Sequence, residues 1–155
     1  MHHSGVKEAD IALKVGKLVS NYLIQASYQV ILFQYDGLEE ICSIANKSNS
    51  DLFVSIHLNA SNGKASGCET YSYYGSNNGL KLSKKIHNQI TTSFPELIDR
   101  GTKTANYYVL SYTDMPSCLI EMGFIDNDND LYIIQNNIDK MAACIARGIS
   151  DYYIK

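Results

Sequence analysis

Asp51-Leu52-Phe53-Val54-Ser55-Ile56 is a near-continuous apolar run, and its reading decides the fold class. A strand with apolar residues on both faces belongs in a sheet covered on both sides. The run delivers His57, followed by Leu58-Asn59-Ala60. Further along, Ser117-Cys118-Leu119-Ile120 has the same character and delivers Glu121, followed by Met122-Gly123-Phe124. Open α/β sheets collect their sites at the C-terminal ends of their strands. An imidazole and a carboxylate at two such ends suit a metal ligand and a general base. For either residue alone, a satisfied polar group at a strand terminus is the plainer explanation.

Outward from these strands the pattern alternates. Ile11, Val15, Leu18, Val19, Tyr22 and Leu23 recur at helical spacing and predict a helix over about residues 7–26. Gln29-Val30-Ile31-Leu32-Phe33 reads as a strand, being short and rich in β-formers. Leu38 to about Asn46 predicts a short helix, opened by Asp36-Gly37. Cys68 to Tyr74 is a strand candidate, and Leu82, Ile86 and Ile90 mark a helix from Gly79 to Thr92. Pro95 to Asn106 has no period and reads as a long loop of the kind that tends to be functional. Tyr107–Leu110 and Ser117–Ile120 read as short strands around an Asp114-Met115-Pro116 turn. Ile138, Met141, Ala142, Ile145, Ile149 and Tyr153 form a last amphipathic helix. The alternation predicts an α/β fold: a mostly parallel central sheet with helices on both faces, in a single domain over residues 1–155.

Composition narrows the function classes. The chain has 155 residues, 45% apolar and 19% charged, with a formal net charge of −3. That length suits one substantial core. Lys and Asp/Glu are dispersed, so no basic footprint for nucleic acid exists. No apolar run is long enough to cross a bilayer, so no membrane partner is expected, and no leader reveals an export route. Cys42, Cys68, Cys118 and Cys144 form no C-x-x-C pair and allow three disulfide pairings; Cys118 and Cys144 sit in apolar runs, which favours buried thiols. G-x-S-x-G and G-x-G-x-x-G are both absent, which leaves an elbow-type serine hydrolase or a dinucleotide enzyme without support. Asp126-Asn127-Asp128-Asn129-Asp130 opens like a calcium loop, but Leu131 stands where glycine is needed and Asn137 where the bidentate Glu is needed. It reads as a solvated turn capping the helix that follows.

Glu8 is a third candidate. In the first turn of the opening helix a carboxylate already stabilises the helix dipole, by roughly 0.3–1 kcal/mol. A catalytic zinc takes three His or carboxylate ligands and leaves a position for water. Glu8 and His57 supply two, and the third has to come from His2, His3 or His87. His87 lies off the Ile86–Ile90 row and reads as a structural histidine on the helix surface.

These residues match a family pattern. Leu38-Glu39-Glu40-Ile41-Cys42-Ser43-Ile44-Ala45-Asn46, followed by Asp51 through Ala60, resembles the zinc-dependent N-acetylmuramoyl-L-alanine amidases. Gly67-Cys68-Glu69-Thr70-Tyr71, Asp99-Arg100-Gly101-Thr102-Lys103 and Met115-Pro116 to Phe124 follow in that family's order, with Asn127 where the family has its Asn after Gly-Phe. Lys7-Glu8-Ala9-Asp10-Ile11-Ala12-Leu13 is similar to the segment carrying the family's ligand Glu. The resemblance implies hydrolysis of the amide between the muramic acid lactyl group and L-Ala of the peptidoglycan stem. It implies Zn2+ as cofactor, Glu8 and His57 as ligands and Glu121 as the catalytic carboxylate. Arg100 and Lys103 stand where the family has basic residues near its groove, to pair with stem-peptide carboxylates or with Glu69, which is then expected to orient Arg100. Asn59 and Asn127 are read as substrate-binding amides or as residues that hold their turns.

The family's opening strand, ending in Asp-x-Gly-His-Gly-Gly and carrying its first ligand His, has no counterpart here. His3 or His2 is then expected to complete the metal site. The sheet is expected to expose an unpaired edge, inviting a homo-oligomer or strand exchange. Two alternatives stand beside the enzyme: a catalytically silent peptidoglycan-binding relative, and an enzyme completed by a strand from another chain. The site of action implied is the cell wall or extracellular space, whether as autolysin, sporulation enzyme or phage endolysin.

Overall fold

The computed structural model describes residues 5–154. His2 and His3, and with them their candidacy as metal ligands, lie outside the described residues.

The chain opens with α1 (Glu8–Gln25), which turns Ile11, Val15, Val19 and Leu23 inward. α2 (Leu38–Lys47) leads into β1 (Phe53–Asn59), and β2 (Cys68–Tyr73) into α3 (Asn77–Ser93). β3 (Asp99–Ala105), the single-turn α4 (Tyr108–Ser111) and β4 (Ser117–Phe124) follow, and α5 (Asp128–Gln135) and α6 (Ile138–Tyr153) close the chain. The sheet order is β1-β4-β2-β3, with β1 parallel to β4, β2 parallel to β3, and β4 antiparallel to β2. The α/β class with a mostly parallel sheet is therefore as expected.

Three local expectations are corrected. Gln29–Phe33 joins no ladder; a cleft lies between it and β1, and among the described residues its backbone has no strand to pair with. Pro95–Asn106 is not all loop, because β3 pairs there with β2 through Asp99, Thr102, Lys103, Thr104 and Ala105. An edge strand that buries neither face carries no apolar alternation, which hides it from a periodicity reading. Tyr107–Leu110 is not a strand: Leu110 N–H and Ser111 N–H both bond Tyr107 O, and Val109 and Leu110 are buried by the resulting turn of helix. Packing overrides the β propensity of these residues.

The two faces of the sheet are covered unequally. On one, α1, α3 and α6 bring Val15, Leu82, Ile86, Met141 and Ile145 onto Ile120 and Met122. On the other, α2 and α4 form a small cluster of Cys42, Ala45, Val109 and Leu110 with Phe53 and Leu119. β4 is buried almost along its length, whereas β1 is only half-buried rather than covered on both sides. Side chains alternate along a strand, so Phe53, Ser55 and His57 share a face, as do Leu119 and Glu121. The small cluster covers the early members of each set. His57 and Glu121 lie beyond it, at the open C-terminal ends. All four cysteines are buried free thiols, as the apolar runs led one to expect for Cys118 and Cys144.

Candidate active site

Strand register assembles the site. His57 pairs with Glu121 across β1 and β4, and Glu121 pairs with Glu69 across β4 and β2. The three side chains therefore form a row across the sheet. The first turn of α1 adds Glu8, whose Oε1 lies 3.0 Å from His57 Nδ1 and accepts Leu58 N–H at 3.2 Å. The hydrogen bond from His57 holds the Glu8 carboxyl below the usual range; partial burial opposes the shift and the Leu58 amide reinforces it. On the other side of the ring, His57 Nε2 lies 2.6 Å from Ser55 Oγ.

Glu121 sits in the middle of this row with one oxygen, Oε2, buried and without a hydrogen-bond partner. Burial pushes its carboxyl up to about 7; His57 opposes the rise, while the negative charges of Glu8 and Glu69 add to it. A carboxyl poised near neutrality suits proton transfer in both directions.

Glu69 is the anchor of the site's far wall and is only 2% exposed. Its Oε1 accepts from Asn59 Nδ2 at 2.9 Å and from Tyr71 OH at 2.8 Å. Its Oε2 accepts from Arg100 Nε at 3.1 Å and from the Lys103 ammonium. Burial raises the Glu69 carboxyl, but the hydrogen bonds from Lys103, Tyr71 and Arg100 outweigh it and the net shift is downward. Arg100 also lies over the Phe124 ring, 5.1 Å from its centroid. One buried carboxylate thus fixes Asn59, Arg100 and Lys103 around the row. Asn127 is placed differently: its side chain accepts Asp130 N–H at 3.0 Å and caps α5.

His87 stands apart. It is 6% exposed rather than on the helix surface, with Nδ1 3.1 Å from Thr70 Oγ1 and Nε2 2.6 Å from Asp99 Oδ1. Thr70 faces α3, away from Glu69, so His87 holds α3 to β2 and β3 and is not a third donor for the row.

Among the described residues, no group of three or more His, Cys, Asp or Glu is arranged to hold a metal ion. Glu8 and His57 are two donors of the types that a catalytic zinc takes, facing one another on the open side of the sheet. This donor chemistry fits zinc as far as the pair goes. The pair also stands at one end of a cleft of about 630 Å³ that runs along the outer edge of β1, lined by Phe53, Ser55, Leu32 and Phe33 among others. Among the described residues β1 pairs only with β4, which leaves its outer edge free of them.

Strand ends pointed to His57 and Glu121, but Ser55 was missed, and Glu69 was expected only as the partner of Arg100. Ser55 is two residues before His57, and strand alternation alone puts it on the same face. The approach of Glu69 to Glu121 depends on antiparallel register between β2 and β4, for which a single sequence carries no signal.

The family model for N-acetylmuramoyl-L-alanine amidase matches residues 1–151. The uncharacterized protein YqiI of Bacillus subtilis is 37% identical over 97% of this chain and 76% of its own length. The N-acetylmuramoyl-L-alanine amidase LytC of the same organism is 32% identical over 97% of this chain, which spans only 32% of LytC. Among solved structures, the N-acetylmuramoyl-L-alanine amidase AmiC2 of Nostoc punctiforme is similar with a TM-score of 0.91 and 32% identity, over 99% of this chain and 88% of that one.

Proposed function

The chain belongs to the N-acetylmuramoyl-L-alanine amidase family, and from that premise we propose that it hydrolyses the amide between the muramic acid lactyl group and L-Ala of the peptidoglycan stem, as one catalytic unit acting at the cell wall. The observation that carries the reading is the row of Glu8, His57 and Glu121 at the open ends of β1 and β4. Glu8 and His57 are the residues that would hold zinc, with His3 or His2 as the third donor. When bound there, zinc supplies a Lewis acid that polarises the scissile carbonyl and acidifies a water.

Glu121 would accept the proton of the attacking water as the water oxygen bonds to the carbonyl carbon. The same carboxyl then protonates the L-Ala nitrogen as the C–N bond breaks, leaving a lactyl carboxylate and a free amine. Burial, which pushes the Glu121 carboxyl up to about 7, is what suits it to both transfers. Glu69 keeps Arg100 and Asn59 in place at the wall, where the guanidinium faces stem-peptide carboxylates and the amide faces peptide or sugar. Asn127 contributes at the rim from the N-terminus of α5.

Purified peptidoglycan incubated with the zinc-supplemented chain tests this through its products. New lactyl ends and new L-Ala amino ends in equal number support the reading. New reducing sugar ends or cut cross-links would replace it with another wall hydrolase, and binding without cleavage would make the chain a silent relative. The cleft beside β1 favours a second reading, in which a strand from a second copy pairs with the free edge and completes the site. Activity per molecule that rises with protein concentration, together with an oligomer, distinguishes it from a self-contained monomer.

A further inference from the structure

His57 is held from both sides. Glu8 Oε1 faces Nδ1 at 3.0 Å, and Ser55 Oγ faces Nε2 at 2.6 Å. A neutral imidazole carries one proton, so one nitrogen donates and the other accepts. An ionised carboxylate can only accept. With Glu8 on Nδ1, the ring proton therefore belongs on Nδ1, and Ser55 donates its hydroxyl proton to Nε2.

Metal ligation reverses these roles. Nδ1 is the ring nitrogen that shares the open side with Glu8, so it is the nitrogen a metal would share with Glu8. To ligate, Nδ1 must give up its proton and the ring must carry it on Nε2, so the partner at Nε2 has to become an acceptor. A serine hydroxyl serves both cases by rotating about its Cβ–Oγ bond. An amide or ammonium donor, a carboxylate or a methyl group cannot.

We propose that Ser55 is a positioning residue for His57: its hydroxyl satisfies Nε2 in both tautomers, so Nδ1 can exchange the Glu8 hydrogen bond for a metal while the ring stays oriented. The inference rests on the zinc reading above and adds to it a residue that touches neither metal nor substrate. In a neutral ring the one proton then moves from Nδ1 to Nε2. Partners of this kind typically contribute 10–100-fold to metal affinity, roughly, by fixing tautomer and ring orientation.

Zinc affinity of the full chain, Ser55→Ala and Ser55→Thr, measured by competition with a chromophoric chelator, reads the effect directly. Long-range 1H–15N NMR of the His57 ring, without and with Zn2+, reads the tautomer. We expect the wild-type ring proton on Nδ1 without metal and on Nε2 with it. Zinc binding should weaken roughly 10–100-fold in Ser55→Ala and return in Ser55→Thr, which keeps the hydroxyl. Equal zinc affinity in wild type and Ser55→Ala overturns the inference while leaving the zinc reading intact. So does a zinc-loaded ring that keeps its proton on Nδ1. If Ser55→Ala binds zinc normally but no longer cleaves, Ser55 acts on substrate and the positioning role is wrong. Failure of the wild type itself to bind zinc removes the zinc reading and this inference together.

Discussion

Glu121 is where the interests of folding and chemistry diverge. Its carboxyl is raised from an ordinary 4.5 to about 7, chiefly by burial. The folded state therefore holds the proton more tightly than the unfolded chain. Its contribution to stability is complete below about pH 4.5 and is lost as pH rises through about 7. In the metal-free protein, Glu121→Gln removes that loss. Urea melts should show the variant more stable than wild type by on the order of 2–3 kcal/mol at pH 8, and nearly equal at pH 4. A variant no more stable at pH 8 would mean that the buried carboxylate is already compensated. This residue was legible in the sequence because a strand end announces itself. Ser55 was not, and of Glu69 only the contact with Arg100 was, because its place beside Glu121 arises from register between strands.

Among the elements, those built on a strong period were read correctly. α1, α3 and α6 each bury one stripe at helical spacing, and β4 is apolar because both its faces are covered. β3 escaped because an edge strand of polar residues shows no alternation. The stretch at residues 29–33 has strand composition but joins no ladder among the described residues. The contact that positions the sheet's helical face is the α3–α6 crossing. There, a Cβ added to Gly148 would meet Ile86 Cα at 2.4 Å and Ile86 N at 2.8 Å. Backbone atoms cannot yield as a flexible side chain can, so Gly148→Ala has to push the helices apart. We expect a loss of about 1–3 kcal/mol, read as a lowered urea midpoint with an unchanged slope. An unchanged midpoint would show that the crossing relaxes freely.

The whole molecule is asymmetric in two ways that serve the proposed function. A large apolar layer on one face gives a rigid base, while the small cluster on the other leaves the strand ends open for a polymeric substrate. The free edge of β1, facing Ile31 and Leu32 across the cleft, is the other asymmetry. Both side chains are exposed, so a charge there does little to the fold but opposes strand addition. If a second copy completes the sheet, sedimentation equilibrium should show wild-type association that Ile31→Lys weakens. A wild type that stays monomeric at every concentration contradicts that second reading and leaves the first in place. The central claim is that Glu121 moves the proton in a zinc-assisted amide hydrolysis. It is tested most directly by the rate of L-Ala amino-end release from purified peptidoglycan, comparing wild type with Glu121→Gln at matched zinc occupancy. The account predicts that the variant binds zinc as the wild type does and loses at least about 100-fold in rate, the lower range for a general acid–base residue. Comparable release by both proteins would contradict it.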